Sequence, residues 1–192
     1  MLTTALAWLL FGVLHSGLAA LPVKARLAPL LGRWRRLAFN LVAVVSFAGV
    51  AAVGAASLGN EPAFPLPAWA KGGMAAIHLL GWAVLLYSAR FYDLGRLSGL
   101  SQLRRRPEPE DEPLRRDGPH AWVRHPLYAG AYLILWGAAV SPLGLATALW
   151  GGLYLAVGTA LEERKLVQLY GDDYRAYRAR VPALVPWRGR VG

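Results

Sequence analysis

Cysteine is absent from the 192 residues, which excludes disulfides, thiolate metal sites and a cysteine nucleophile. Acidic residues are scarce, 11 Asp and Glu against 21 Lys and Arg, giving a formal charge of +10. The four histidines, at 15, 78, 120 and 125, lack the close spacing of a ligand set, so no metal site is expected. The long apolar runs hold almost no charge, which argues against the charged pathway of a transporter.

What the chain does have is apolar length. It is 56% hydrophobic with a mean hydropathy of +0.35, yet its pI is near 10.5. Charges are segregated from apolar runs, unlike the dispersed charges of a soluble domain. Five apolar segments, at 2–21, 37–58, 68–87, 122–140 and 144–161, each approach the ~20 residues that span a hydrocarbon core as a helix. In lipid every backbone polar group must be paired internally, so helices are the expected form. The expectation is one all-α integral membrane domain over 1–192, with about five transmembrane helices. The first segment reads as a retained span, because no basic residue precedes it and no small-residue cleavage site follows it.

Arginine and lysine set the orientation. They cluster after the first segment (Lys24, Arg26, Arg33, Arg35, Arg36), after the third (Arg90 through Arg124) and after the fifth (Arg164 through Arg190). The positive-inside bias then places the N-terminus outside and the C-terminus in the cytoplasm, with a bacterial inner membrane as the expected location. Basic clusters at membrane boundaries need only topology and anionic lipid headgroups, so no nucleic-acid partner is expected. Residues 104–118, rich in arginine, proline and acid, read as an extended connection. Beyond the fifth segment, Leu166, Leu169, Tyr170, Tyr174 and Tyr177 recur at helical spacing. That pattern predicts a C-terminal amphipathic cytoplasmic helix over 162–181, lying along the membrane surface and able to cover a cytoplasmic pocket.

Polar groups gather at the ends of two neighbouring apolar segments. Arg124-His125-Pro126-Leu127-Tyr128 opens one, Ser141-Pro142-Leu143-Gly144 is a tight turn, and Glu162-Glu163 closes the next. An antiparallel hairpin returns histidine, tyrosine and both carboxylates to one membrane face. Pro126 suits a helix start, since proline there loses no needed donor. A carboxylate at a span end is costly unless it faces water or a partner. His15 and His78, at membrane depth, suit interhelical hydrogen bonds or the lining of a tunnel.

The ordered set Gly118-x-His120, four residues, His125-Pro126-x-Tyr128-x-Gly130, then Glu162-Glu163-x-x-Leu166, Tyr170-Gly171-x-x-Tyr174-x-x-Tyr177 and Val-Pro resembles one family. It is similar to the integral-membrane methyltransferases related to isoprenylcysteine carboxyl methyltransferase and to phospholipid methyltransferases, over residues 102–186. Leu14-His15-Ser16 and residues 35–40 resemble the bacterial NnrU-type and methanethiol S-methyltransferase-type relatives. The other reading of that likeness is a non-catalytic NnrU-like membrane protein of nitrogen-oxide metabolism that keeps the fold.

The resemblance implies S-adenosylmethionine as cofactor, and Gln102, Leu114, His120, His125, Pro126, Tyr128 and Glu162 as its contacts. Glu162 could pair with the cofactor's ammonium or accept from its ribose hydroxyls. Tyr128 and the imidazoles could line the sulfonium, where an aromatic face favours a cation. His125 or His120 could act as general base for an acceptor that carries a proton. In the prenylcysteine enzymes an arginine for the substrate lies four positions before the glutamate matching Glu162; here that position is Gly158. The resemblance therefore implies a small or neutral lipophilic methyl acceptor (thiol, amine, carboxylate or lipid headgroup), entering from the membrane lipids.

Overall fold

A computed structural model describes residues 2–103, 113–188 and 190, and every regular element among them is a helix. These are α1 (Leu2–Ala19), α2 (Leu21–Leu31), a 3-10 turn (Gly32–Trp34), α3 (Arg35–Leu58), α4 (Ala68–Ala89), α5 (Leu94–Ser98), α6 (Leu100–Leu103), a 3-10 turn (Gly118–Ala121), α7 (Pro126–Gly137) and α8 (Pro142–Arg180). Four stretches are long and apolar enough to cross a membrane: Leu2–Ala19, Pro22–Leu58, Ala68–Ala89 and Pro142–Arg180.

The fourth apolar segment differs from expectation. Its helix, α7, has only 12 residues, about 18 Å at 1.5 Å per residue, short of a ~30 Å hydrocarbon core. The cause lies at both ends. His125 is non-helical at φ −123° and ψ 67°, Pro126 starts the helix, and the chain leaves it at Ala138. The fifth apolar segment and the helix expected after it run together as α8, from Pro142 to Arg180. Ser141 caps it by accepting from the Gly144 amide at 3.1 Å. Within α8 one residue has non-helical angles, Gly171 at φ 54° and ψ −127°. Much of the expected connection at 104–118, residues 104–112, lies outside the described residues; 113–117 are irregular.

The described residues fall into two compact units. The first comprises residues up to 61 together with 92–103. There α1 meets α3 through rings: Trp8 lies 5.9 Å from Phe47, and His15 lies 5.6 Å from Phe11 and 4.9 Å from Phe39. Asn40 on α3 donates to the carbonyls of Leu97 and Ser98 at 2.8 and 2.9 Å, tying α5 to it.

The second unit comprises 62–91 with 113 onward and holds α4, α7 and α8. α4 and α7 approach closely because both present glycine at the seam. A Cβ on Gly81 would lie 2.5 Å from the Ile134 nitrogen, and one on Gly130 would lie 2.8 Å from the Leu85 nitrogen. Small residues at a helix seam permit this spacing in lipid. His78 locks the pair. Trp82 Nε1 donates to its Nε2 at 3.1 Å, so its Nδ1 carries the hydrogen and donates to the Ile134 carbonyl at 2.9 Å.

Candidate active site

The site is built where the chain enters α7 and where α8 passes beside it. Arg124 and His125 precede α7 in non-helical backbone, and their amides donate to the carbonyls of Pro182 and Ala183 at 2.9 and 3.0 Å. The segment after α8 therefore returns to pair with the segment before α7. Pro126 is fully buried as the first residue of that helix. The His125 carbonyl accepts from the Ala129 amide at 2.9 Å, closing the first turn.

Glu163 is the hub. Arg124 Nε donates to Glu163 Oε1 at 2.8 Å, its Nη2 also donates to that oxygen, and His125 Nε2 lies 3.2 Å from it. Arg178 Nε lies 3.6 Å from Glu163 Oε2. Arg124 is itself fixed, since its guanidinium donates to the Val181 carbonyl and, at 3.2 Å, to that of Arg178. The side chains of Arg124, His125 and Glu163 are 8, 5 and 13% exposed. Burial raises the Glu163 carboxyl, but the hydrogen bonds and charge of Arg124, with His125, outweigh it and hold the group below the usual carboxylate range.

Glu162 is placed differently. Its Oε2 lies 3.8 Å from His125 Nδ1, beyond hydrogen-bonding distance, and its side chain is 44% exposed. His125 thus sits between two carboxylates, one buried and committed, one open. Its ring stacks on Tyr128 with centroids 5.7 Å apart and planes 13° apart.

A second layer holds His120. The 3-10 turn Gly118–Ala121 buries it, and its backbone carbonyl accepts from Tyr177 Oη at 2.7 Å. Burial pushes the His120 imidazole below its ordinary value; Asp117 opposes this, while Arg115 adds to it. Tyr174, Tyr177 and Val181 form a buried cluster with Leu114, Leu166, Val167 and Tyr170. Burial pushes the Tyr174 hydroxyl up to about 12, with Glu163 adding to the rise. Tyr174 and Tyr177, which the sequence periodicity puts on one helical face, are buried inside the protein. Gly171, three residues before Tyr174, interrupts the helical angles of α8 just ahead of this cluster.

The structure brings His125, Pro126, Tyr128 and Glu162 together directly, and sets His120 and Leu114 in the tyrosine layer behind them. Gln102 belongs to the first unit, where its Nε2 donates to the Arg96 carbonyl at 3.5 Å. Sequence reasoning did not assign roles to Arg124 and Glu163. The signal for them was a charge pair at the two ends of a predicted hairpin. Among the described residues, no group of three His, Asp or Glu could hold a metal ion.

Several curated proteins are similar to part of the chain. Methanethiol S-methyltransferase 1 of Bradyrhizobium diazoefficiens is 37% identical over 122 residues, 62% of this chain and 43% of the relative. Methanethiol S-methyltransferase of Crocosphaera subtropica is 34% identical over 119 residues, 60% of this chain and 47% of the relative. Protein-S-isoprenylcysteine O-methyltransferase of Schizosaccharomyces pombe is 37% identical over 83 residues, 40% of this chain and 34% of the relative. The chain spans about half the length, or less, of these curated relatives. No protein-family model matches the chain, and no solved structure matches it.

Proposed function

We propose, from the isoprenylcysteine carboxyl methyltransferase-like family that these relatives support, that this protein is an integral-membrane methyltransferase using S-adenosylmethionine to methylate a small thiol. The observation that carries the reading is the division of labour between the two carboxylates. Glu163 is consumed by Arg124 and His125, whereas Glu162 keeps an open carboxylate beside the same imidazole.

That donor set fits the cofactor. An open carboxylate accepts from an ammonium or from ribose hydroxyls in charge-assisted bonds. The stacked Tyr128 ring offers a face that favours a cation. Bound there, S-adenosylmethionine supplies a methyl group already activated by its sulfonium. The protein's share is then to align the acceptor, exclude water and receive a proton. His120 and His125 are the bases within the site, and burial favours the neutral, proton-accepting form of His120.

The acceptor class rests on two supports. Six of the relatives are named for methanethiol, and Gly158 stands one helical turn before Glu162 on α8. A Cβ there meets nothing within 4 Å, so no packing demand keeps a cationic side chain out. Its absence suits an acceptor without a carboxylate. The basic clusters at the boundaries of the apolar segments support a cytoplasmic C-terminus in a bacterial inner membrane.

Calorimetric titration of the detergent-solubilised protein with S-adenosylhomocysteine tests the reading. Micromolar binding that is lost in Glu162→Ala is the expected result. Equal absence of binding in both proteins overturns it.

A further inference from the structure

Glu163 Oε1 faces His125 Nε2 at 3.2 Å while accepting from Arg124 Nε at 2.8 Å. A carboxylate held ionised by a guanidinium has only lone pairs to offer, so the hydrogen on the His125 contact belongs to the imidazole. In the neutral ring this leaves the lone pair on Nδ1. That atom points to the Glu162 side, where the nearest carboxylate oxygen stops at 3.8 Å and does not take the position of a hydrogen-bond partner. Tyr128, stacked 5.7 Å away, fixes the ring plane. The charged and titratable groups around the ring are thus Arg124, Glu163 and Arg178 towards Nε2, Glu162 towards Nδ1, Tyr128 on the face, and His120 behind.

Resting on the methyl-transfer reading, we infer that Glu163, braced by Arg124, holds His125 in its Nε2–H form and makes Nδ1 the atom that takes the acceptor thiol's proton. The balance is simple. The S–H bond breaks and its proton goes to Nδ1. The sulfur's electron pair forms the new S–CH3 bond as the methyl's bond to the sulfonium breaks, leaving a neutral thioether. The half-exposed Glu162 carboxylate faces the protonated ring, and the proton then passes to water. His125 is the catalytic residue of this step; Glu163 and Arg124 are positioning residues acting through it.

The test compares two acceptors in wild type and Glu163→Gln, with S-adenosylhomocysteine binding measured alongside. Ethanethiol must lose its proton during the reaction, whereas thiophenol is already a thiolate at neutral pH. The variant is expected to lose about 100-fold in kcat on ethanethiol, the scale of general-base assistance, and less than about 5-fold on thiophenol. Long-range 15N–1H spectra of the histidines, assigned with His125→Gln, should show the Nε2–H form of His125 in wild type and a mixture of both forms in Glu163→Gln. Equal losses on the two thiols, or an Nδ1–H ring in wild type, overturn the inference. Arg124→Lys, which loosens the fork on Glu163 while keeping its charge, reads the same difference if Glu163→Gln does not fold. Absence of S-adenosylhomocysteine binding and of turnover in the wild type would instead defeat the methyl-transfer reading itself.

Discussion

Arg124 and Glu163, 39 residues apart in the chain, meet at 2.8 Å with both side chains nearly excluded from solvent. A buried ion pair of this kind is weak evidence of net stabilisation, but removing one partner strands the other. Arg124→Ala leaves the Glu163 carboxylate with His125 and the more distant Arg178. It also orphans the Val181 carbonyl. A loss of about 3 kcal/mol is expected in detergent unfolding, at the low end for a stranded buried charge. Replacing both residues by leucine should recover part of it, because the carbonyl remains unpaired. A loss under about 1 kcal/mol for Arg124→Ala would show that the pair is solvated in solution.

The site also predicts two acid steps in stability. Glu163 has a folded pKa below its ordinary value of 4.5. Its contribution is therefore complete above 4.5 and is lost as pH falls from there through the lower folded value. His120 has a folded pKa below 6.5 because burial disfavours its charged form. The unfolded chain takes up that proton first, so stability also declines as pH falls below about 6.5. Unfolding midpoints measured from pH 8 to 3 should show both declines. His120→Asn should remove the upper one and Glu163→Gln the lower. A profile unchanged by either substitution contradicts the burial of these groups.

Two glycine-to-alanine substitutions should behave in opposite ways. At Gly81 the new methyl would lie 2.5 Å from the Ile134 nitrogen and 2.8 Å from the Gly130 carbonyl oxygen. Backbone atoms cannot rotate away, so α4 and α7 must separate, with an expected loss of about 2 kcal/mol or more. The His78–Ile134 hydrogen bond would lengthen with them. At Gly158 a methyl meets nothing within 4 Å, and alanine gains up to about 1 kcal/mol of helix propensity. Thermal midpoints of the two variants in one detergent check the contrast.

Much of this arrangement is legible in the sequence, for identifiable reasons. Apolar runs of span length write the long helices plainly, and a turn such as 141–144 forces the residues at its two ends to converge. That is why the sequence alone implies that His125 lies near the Glu162–Glu163 pair. Other features depend on tertiary detail. Hydropathy alone assigns 122–140 to a full span, but His125 and Pro126 delay the helix and α7 comes out at 12 residues. Periodicity shows that Tyr174 and Tyr177 share a face without telling which environment the face meets. Neither does adjacency in sequence tell which glutamate is buried: one residue is a 100° rotation on a helix, enough to put Glu163 on Arg124 and leave Glu162 open.

Gly171 carries the final prediction. At φ 54° and ψ −127° it interrupts α8 and precedes the turn that buries Tyr174 and Tyr177 against Leu114 and Val181. A Cβ there meets nothing within 4 Å, so alanine would be opposed by backbone strain alone, on the order of 2 kcal/mol. If α8 straightens to relieve that strain, Tyr177 leaves the His120 carbonyl and the layer behind the site loosens. Gly171→Ala is therefore expected to lower the unfolding midpoint and to weaken S-adenosylhomocysteine binding together. Asparagine is the sharper probe. It tolerates positive φ where ψ lies near +47°, a region far from the −127° found here, so Gly171→Asn should be as damaging as alanine. Recovery of both stability and binding in the asparagine variant would mean that this residue adopts an ordinary left-handed conformation, and that the aromatic layer does not depend on the bend.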